Sequence, residues 1–252
     1  EVGVAGGVQR GTDAGSLGWI DPIVGLYYRG FENLTLFVRS EPHAERPSLA
    51  AIVEESPYVA SAPHVRPRHY STDLHIGASW RPSQDVRASA EFFLTRGQWV
   101  PVYVDVDSSG VWAPDYRGIV RSSGIQSSCY VTLTDADEIG GTLTIRENQW
   151  SRTTEAVPYM SGFELDTYAV HRFEFGLRLV PSFRIMGSRP VNVRATRSLS
   201  SYLDIGLRAE YIVLPSLTAT LAFENILGTK RTLWERYTGV PSVATVSASY
   251  SW

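Results

Sequence analysis

The chain has 252 residues, a formal net charge of −3, 12% aromatic residues, 21 glycines and a single cysteine. Near-neutral charge gives no electrostatic case for nucleic acid, and the lone Cys129 excludes a disulfide framework and a cysteine-based zinc site. No run of about 18 apolar residues occurs, which excludes a transmembrane helix but not a membrane barrel, whose strands are each only half apolar.

Period-two alternation recurs from end to end. In chain order it predicts about 12 strands, near 2–9, 21–29, 34–41, 70–81, 86–95, 118–133, 139–149, 168–180, 183–195, 202–213, 217–226 and 242–252. Three hairpins are clearest. Leu74, Ile76, Ala78 and Trp80 alternate with His75, Gly77 and Ser79, then turn at Arg81–Asp85 into Val86, Ala88, Ala90, Phe92 and Leu94. Phe173, Phe175, Leu177 and Leu179 alternate with Arg172, Glu174, Gly176 and Arg178, with the turn placed at Pro181-Ser182 before Phe183 and Ile185. Leu203, Ile205, Leu207, Ala209, Tyr211 and Val213 pass through Leu214-Pro215-Ser216 into Leu217, Ala219, Leu221 and Phe223.

The connections sort by length. Tight turns fall at Gly30–Asn33, Pro82–Asp85, Asp135–Glu138, Pro181-Ser182 and Leu214–Ser216, and longer loops near 10–20, 42–69, 96–117, 150–167 and 227–241, with one short exception at 196–201. Short periplasmic turns opposite long extracellular loops are the arrangement of outer-membrane barrels. The last run, Ala244, Val246, Ala248, Tyr250 and Trp252, ends on an aromatic, as the terminal strands of such barrels do. Trp80, Tyr211, Tyr250 and Trp252 at one level, with Trp19, Trp99, Trp150 and Tyr168 near the long loops, resemble two interfacial girdles. The expected fold is an all-β antiparallel transmembrane barrel of about 12 strands spanning 1–252, or the C-terminal portion of a larger one.

The stretch Leu221-Ala222-Phe223-Glu224-Asn225-Ile226-Leu227-Gly228, followed by Tyr237, Gly239-Val240-Pro241 and the last strand, resembles the end of a TonB-dependent outer-membrane receptor barrel. Such receptors show an Asn-Leu-Phe-Asp/Asn-Lys-like motif there, then Tyr, then a Pro-Gly-Arg-type entry. Here Ile226-Leu227 and Pro241-Ser242 depart from it. Arg46-Pro47-Ser48-Leu49 and Val157-Pro158 resemble further family segments, so the likeness runs over roughly 35–252. The family barrel has about 22 strands around an N-terminal plug. Neither plug nor TonB-binding box is read here, which implies a sector of a longer protein or a shortened descendant.

The resemblance implies transport or binding of a solute at the cell surface, in the bacterial outer membrane. Alternatives are a passive 12-stranded channel or a scaffold anchoring a surface assembly. Inward-facing charges are expected at Arg87, Glu91, Arg172, Glu174, Arg178, Arg194, Asp204, Arg208, Glu210 and Glu224, with Arg146 and Arg184 beside them. Both signs alternate on neighbouring strands, so they are read as a paired lumenal network, or as a constriction selecting anions. Trp99, Tyr103, Trp112 and Tyr116 in one long loop form a candidate stacking site for a sugar or other flat ligand. Tyr250 and Trp252 are the candidate assembly signal for the barrel-assembly machinery. Other expected partners are outer-membrane lipid and a plug or other protein, but not nucleic acid.

The remaining motifs carry less. His64, His69 and His75 match no familiar metal spacing, and Asp105-x-Asp107-x-Ser109-Gly110 lacks the closing Glu of a calcium loop, with Tyr116 in its place. His75 with Ser79, and His171 near the outer rim, have no nucleophile-elbow context. No cofactor, metal or catalysis is expected. Residues 47–54 are read as a short helix over the pore mouth.

Overall fold

The computed structural model describes residues 2–12, 18–45, 68–98, 100, 102–105, 112–115, 118–153, 155–235, 237–239 and 241–251. Twelve strands form one antiparallel meander, each paired with the next in sequence. They are β1 (Val2–Thr12), β2 (Gly18–Phe31), β3 (Leu34–Ser40), β4 (Arg68–Trp80), β5 (Val86–Gln98), β6 (Ile119–Thr132), β7 (Asp137–Trp150), β8 (Phe163–Arg172), β9 (Leu177–Met186), β10 (Tyr202–Leu214), β11 (Leu217–Glu224) and β12 (Val243–Tyr250). A short strand, His43–Glu45, adds a thirteenth by pairing with β4. Among the described residues no ladder joins β12 to β1, so the sheet is open.

Register turns the alternation into two chemically distinct faces. Val38, Ile76, Phe92, Ile125, Ile145 and Phe163 stand directly opposite one another on six successive strands. Phe92, Ile125 and Ile145 are 46%, 54% and 52% exposed. A soluble sheet would cover such a row with a second layer, and among the described residues no second layer covers it. The opposite face carries Thr35, Ser79, Ser89, Ser128, Thr142, Asp166, Arg184 and Asp204 in a single row across eight strands. Total accessible surface is 15869 Å², against about 11000 Å² for a globular protein of this mass.

One end of the sheet is made of tight turns. There Trp80 stands opposite Leu34, Tyr211 opposite Leu177 and Tyr250 opposite Leu217, all three aromatics exposed on the apolar face. These positions suit an interfacial girdle, where an amphipathic ring meets both apolar and wet surroundings.

The second predicted hairpin is misplaced in the sequence reading. Its turn is Phe173–Gly176, closed by Gly176 N–H donating to Phe173 O (3.1 Å) and Phe173 N–H to Leu177 O (2.8 Å). Gly176 has φ +85°, a conformation that a Cβ disfavours. Pro181 lies mid-strand, where the ladder to β8 is interrupted between Tyr168↔Ser182 and His171↔Leu179. A proline needs such a gap because it has no N–H to give. With β9 ending at Met186, the short exception at 196–201 becomes part of a long connection, 187–201.

At the loop end Val100, Val120 and Val157 form a small buried cluster with Tyr70, Trp150 and Met160. Apolar burial therefore concentrates where loops fold back on strand ends. The predicted helix at 47–54 lies outside the described residues.

Candidate functional site on the polar face

Strand parity brings charges together in three groups. In the first, Glu91 on β5 accepts from Arg39 Nη2 on β3 (3.1 Å) and contacts His75 Nδ1 on β4 (3.0 Å). His75 Nε2 lies 2.9 Å from Asp73 Oδ1, and Asp73 Oδ2 lies 3.2 Å from His43 Nδ1. Asp73 and His75 share a face because they are two apart on a strand. Both ring nitrogens of His75 face carboxylates, so both hydrogen bonds form at once only when each nitrogen carries a proton. His43 also stacks on Tyr70, ring centroids 4.8 Å apart.

The second group sits by the turns. Glu210 takes Arg178 (2.7 Å) and Arg208 (2.6 Å), and Glu138 takes Tyr168 OH (2.9 Å) and Arg172 (3.4 Å). Arg87 lines a recess with Tyr130, Glu138 and Tyr168. Gly140 stands directly opposite both Tyr130 and Tyr168, and a Cβ there would lie 2.7 Å from atoms of each ring. Only a glycine lets the two tyrosines lie across the wall.

The third group is nearer the loops. Arg184 pairs with Asp166 (3.0 Å), Arg231 with Asp204 (2.6 Å) and Arg146 with Glu164. Asp166, Arg184, Asp204, Glu224 and Arg231 line a cavity of about 520 Å³. Above it, buried Arg189 donates to Thr232 O (2.6 Å) and lies over the Tyr202 ring, and burial pulls its pKa below the ordinary value. Arg197 pairs with Glu235 (2.5 Å), so two arginines bind the connection 187–201 to the segment after β11.

That segment begins at Asn225, a fully buried residue with φ +51°. Its Oδ1 accepts from Thr229 N–H (3.1 Å) and Nδ2 donates to Thr229 O (3.0 Å). Its backbone carbonyl accepts from Gly228 N–H (2.8 Å) and Ser242 Oγ (2.9 Å). Asn is the non-glycine residue best suited to a left-handed turn that also needs a local hydrogen-bonding side chain.

Of the charges singled out from sequence, Glu91, Arg172, Arg178, Asp204, Arg208 and Glu210 join ion pairs, and Arg87 and Glu224 line recesses. Two are corrected. Glu174 lies exposed in the Phe173–Gly176 turn, and Arg194 lies exposed in the 187–201 connection, because the real turn precedes the predicted one and shifts the strand ends. His171 likewise sits at the turn end, 2.6 Å from Asp137, not at the outer rim. Asp73, Arg39, Glu138 and Arg231 were missed. Asp73 was readable from its spacing to His75; the others depend on strand register or loop return. Tyr103 and Trp112 fall on a small hairpin, Val102–Asp105 with Trp112–Asp115, while Trp99, Tyr116, His64 and Trp252 lie outside the described residues.

No family model matches the sequence, and no curated protein matches it. Solved structures do. The siderophore receptor PirA from Acinetobacter baumannii superposes with a TM-score of 0.69 at 11% identity, over 100% of this chain and 43% of that one. A mutant of the ferric enterobactin receptor PfeA from Pseudomonas aeruginosa gives 0.69 at 12%, over 100% and 43%. The ferric-catecholate import receptor Fiu from E. coli K12 gives 0.61 at 16%, over 93% and 35%. The fold is that of the barrel wall of TonB-dependent outer-membrane receptors. The chain spans 35% to 43% of the length of these receptors, which reside in the outer membrane of Gram-negative bacteria.

Proposed function

We propose that this chain is a sector of the wall of a larger outer-membrane receptor barrel that takes up a scarce solute at the cell surface. The observation that carries the proposal is an open sheet whose polar face is laced with ion pairs. Hydrocarbon penalises unpaired strand edges, so such a wall needs further strands to complete it. About 22 strands enclose a lumen that needs a plug, and alternating carboxylates and arginines suit a wall against which a folded plug packs.

A siderophore-type solute is supported by structural relatives whose names specify siderophores and ferric catecholates. Tyr103 and Trp112, with Trp99 and Tyr116, serve as stacking surfaces for a flat ligand at the mouth. The charges at Arg87, Glu91, Arg178, Asp204, Arg208, Glu210 and Glu224 shape the lumenal path, and Tyr250 with Trp252 serves as the assembly signal.

Gene deletion followed by uptake of radiolabelled iron presented on a panel of siderophores tests the reading. Loss of uptake from at least one chelate, restored by the intact gene, is expected. Unchanged uptake of every chelate, with altered surface assembly instead, would favour the scaffold.

A further inference from the structure

The lipid-facing wall carries one pairing that its own residues do not explain. Arg96 on β5 and Arg121 on β6 stand directly opposite each other in an unbroken ladder. Both are exposed and share the apolar face with Phe92 and Ile125. Like charges directly opposite on adjacent strands are destabilising, and arginine cannot shed its charge. Neither guanidinium has an ion-pair partner among the described residues. The row continues to Thr72 on β4 and Gln149 on β7, so it offers four hydrogen-bond donors side by side. On the same face of β7, Glu147 is one row lower, opposite Ser123, with its carboxylate engaged by Gln149.

The level of the pair says what meets it. Arg96 lies ten positions beyond Val86, and Arg121 ten before Val131, where the strands leave the turn end. At about 3.3 Å per residue and a tilt near 40°, that is roughly 25 Å along the barrel axis, the height of the apolar band. The pair therefore stands at the extracellular margin of the hydrocarbon, level with lipid headgroups. Opposed side chains on neighbouring strands start about 5 Å apart, a span that a tetrahedral anion bridges with guanidinium hydrogen bonds from either side.

We propose that Arg96 and Arg121 form a binding site for the phosphate of an outer-leaflet lipid headgroup, flanked by Thr72 and Gln149. The site rests on the apolar face being the lipid face. That premise is tested separately, because it fails if Ile125→Arg enters the membrane as well as the unmodified protein does. The binding test uses the full-length protein in neutral detergent with diphosphorylated lipid A as probe, phosphatidylcholine as comparator and inorganic phosphate as the free anion, read by native mass spectrometry. The unmodified protein is expected to retain lipid A. Arg96→Gln/Arg121→Gln should weaken retention at least tenfold, Arg121→Lys by less, and Arg81→Gln at the turn end not at all. Equal retention by the double variant, or displacement of lipid A by equimolar inorganic phosphate, overturns the proposal. The heat-dependent gel shift of each sample reports folding, and single Arg121→Gln gives a second reading should the double variant not fold.

Discussion

Asn225 is where the structure makes its sharpest energetic prediction. The residue is fully buried, has φ +51° and exchanges hydrogen bonds with both the N–H and the carbonyl of Thr229. Asn225→Gly removes the carboxamide but keeps the backbone unstrained. Two lost hydrogen bonds at about 1 kcal/mol each, offset by about 1–2 kcal/mol of relieved left-handed Cβ strain, leave about 0–1 kcal/mol. Asn225→Ala loses the same bonds and keeps the Cβ that asparagine already holds in the left-handed region, giving about 2 kcal/mol. Asn225→Asp keeps the acceptor but faces the Thr229 carbonyl with a second oxygen and buries a charge, so it should be no better than alanine. The assay is amide hydrogen exchange at Gly228 and Thr229 in the detergent-solubilised protein. At 1.4 kcal/mol per tenfold, protection should fall about 30-fold for alanine and no more than about fivefold for glycine. Glycine costing as much as alanine would refute the backbone argument, and unchanged Thr229 protection would refute the cap.

Three other substitutions probe the wall. Gly140→Val should destabilise by about 1–3 kcal/mol, because its Cβ would press on both Tyr130 and Tyr168; the midpoint of the heat-dependent gel shift measures it, and Tyr168→Ala should recover part of the loss. Ile125→Arg, at mid-height on the apolar face, should cost about 2–4 kcal/mol on folding into lipid vesicles, whereas neighbouring Gln126→Arg on the polar face should cost little. Equal costs would mean the faces are assigned the wrong way round. A double-mutant cycle on Arg39→Gln and Glu91→Gln should show coupling of about 1 kcal/mol, discounted because Arg39 is one-third exposed, and none between Arg39 and Glu210.

Most of the sheet was legible because alternation needs no tertiary information: Leu74 to Trp80 and Leu203 to Val213 each announce one apolar face. The exception is instructive. Pro181 reads as punctuation, yet it sits in a strand where a ladder interruption removes the need for its N–H, and the turn is made by Gly176 with positive φ. That one shift moved Glu174 and Arg194 off the wall. The charge groups were legible only in part. Asp73 and His75 share a face by arithmetic, but Arg39 reaches Glu91 through the registers of β3, β4 and β5, which no local pattern encodes. Arg231 returns to Asp204 from the segment that Asn225 starts, so its role depends on a turn whose function was visible only as a motif.

The central claim is that this wall belongs to a larger barrel, and the mass of the native polypeptide tests it most directly. Protein extracted from its own outer membrane, identified by peptides of this chain, would be weighed intact. The account predicts a species two to three times the 27.9 kDa of these 252 residues. A native species of 27.9 kDa that conducts ions or anchors partners on its own would contradict it.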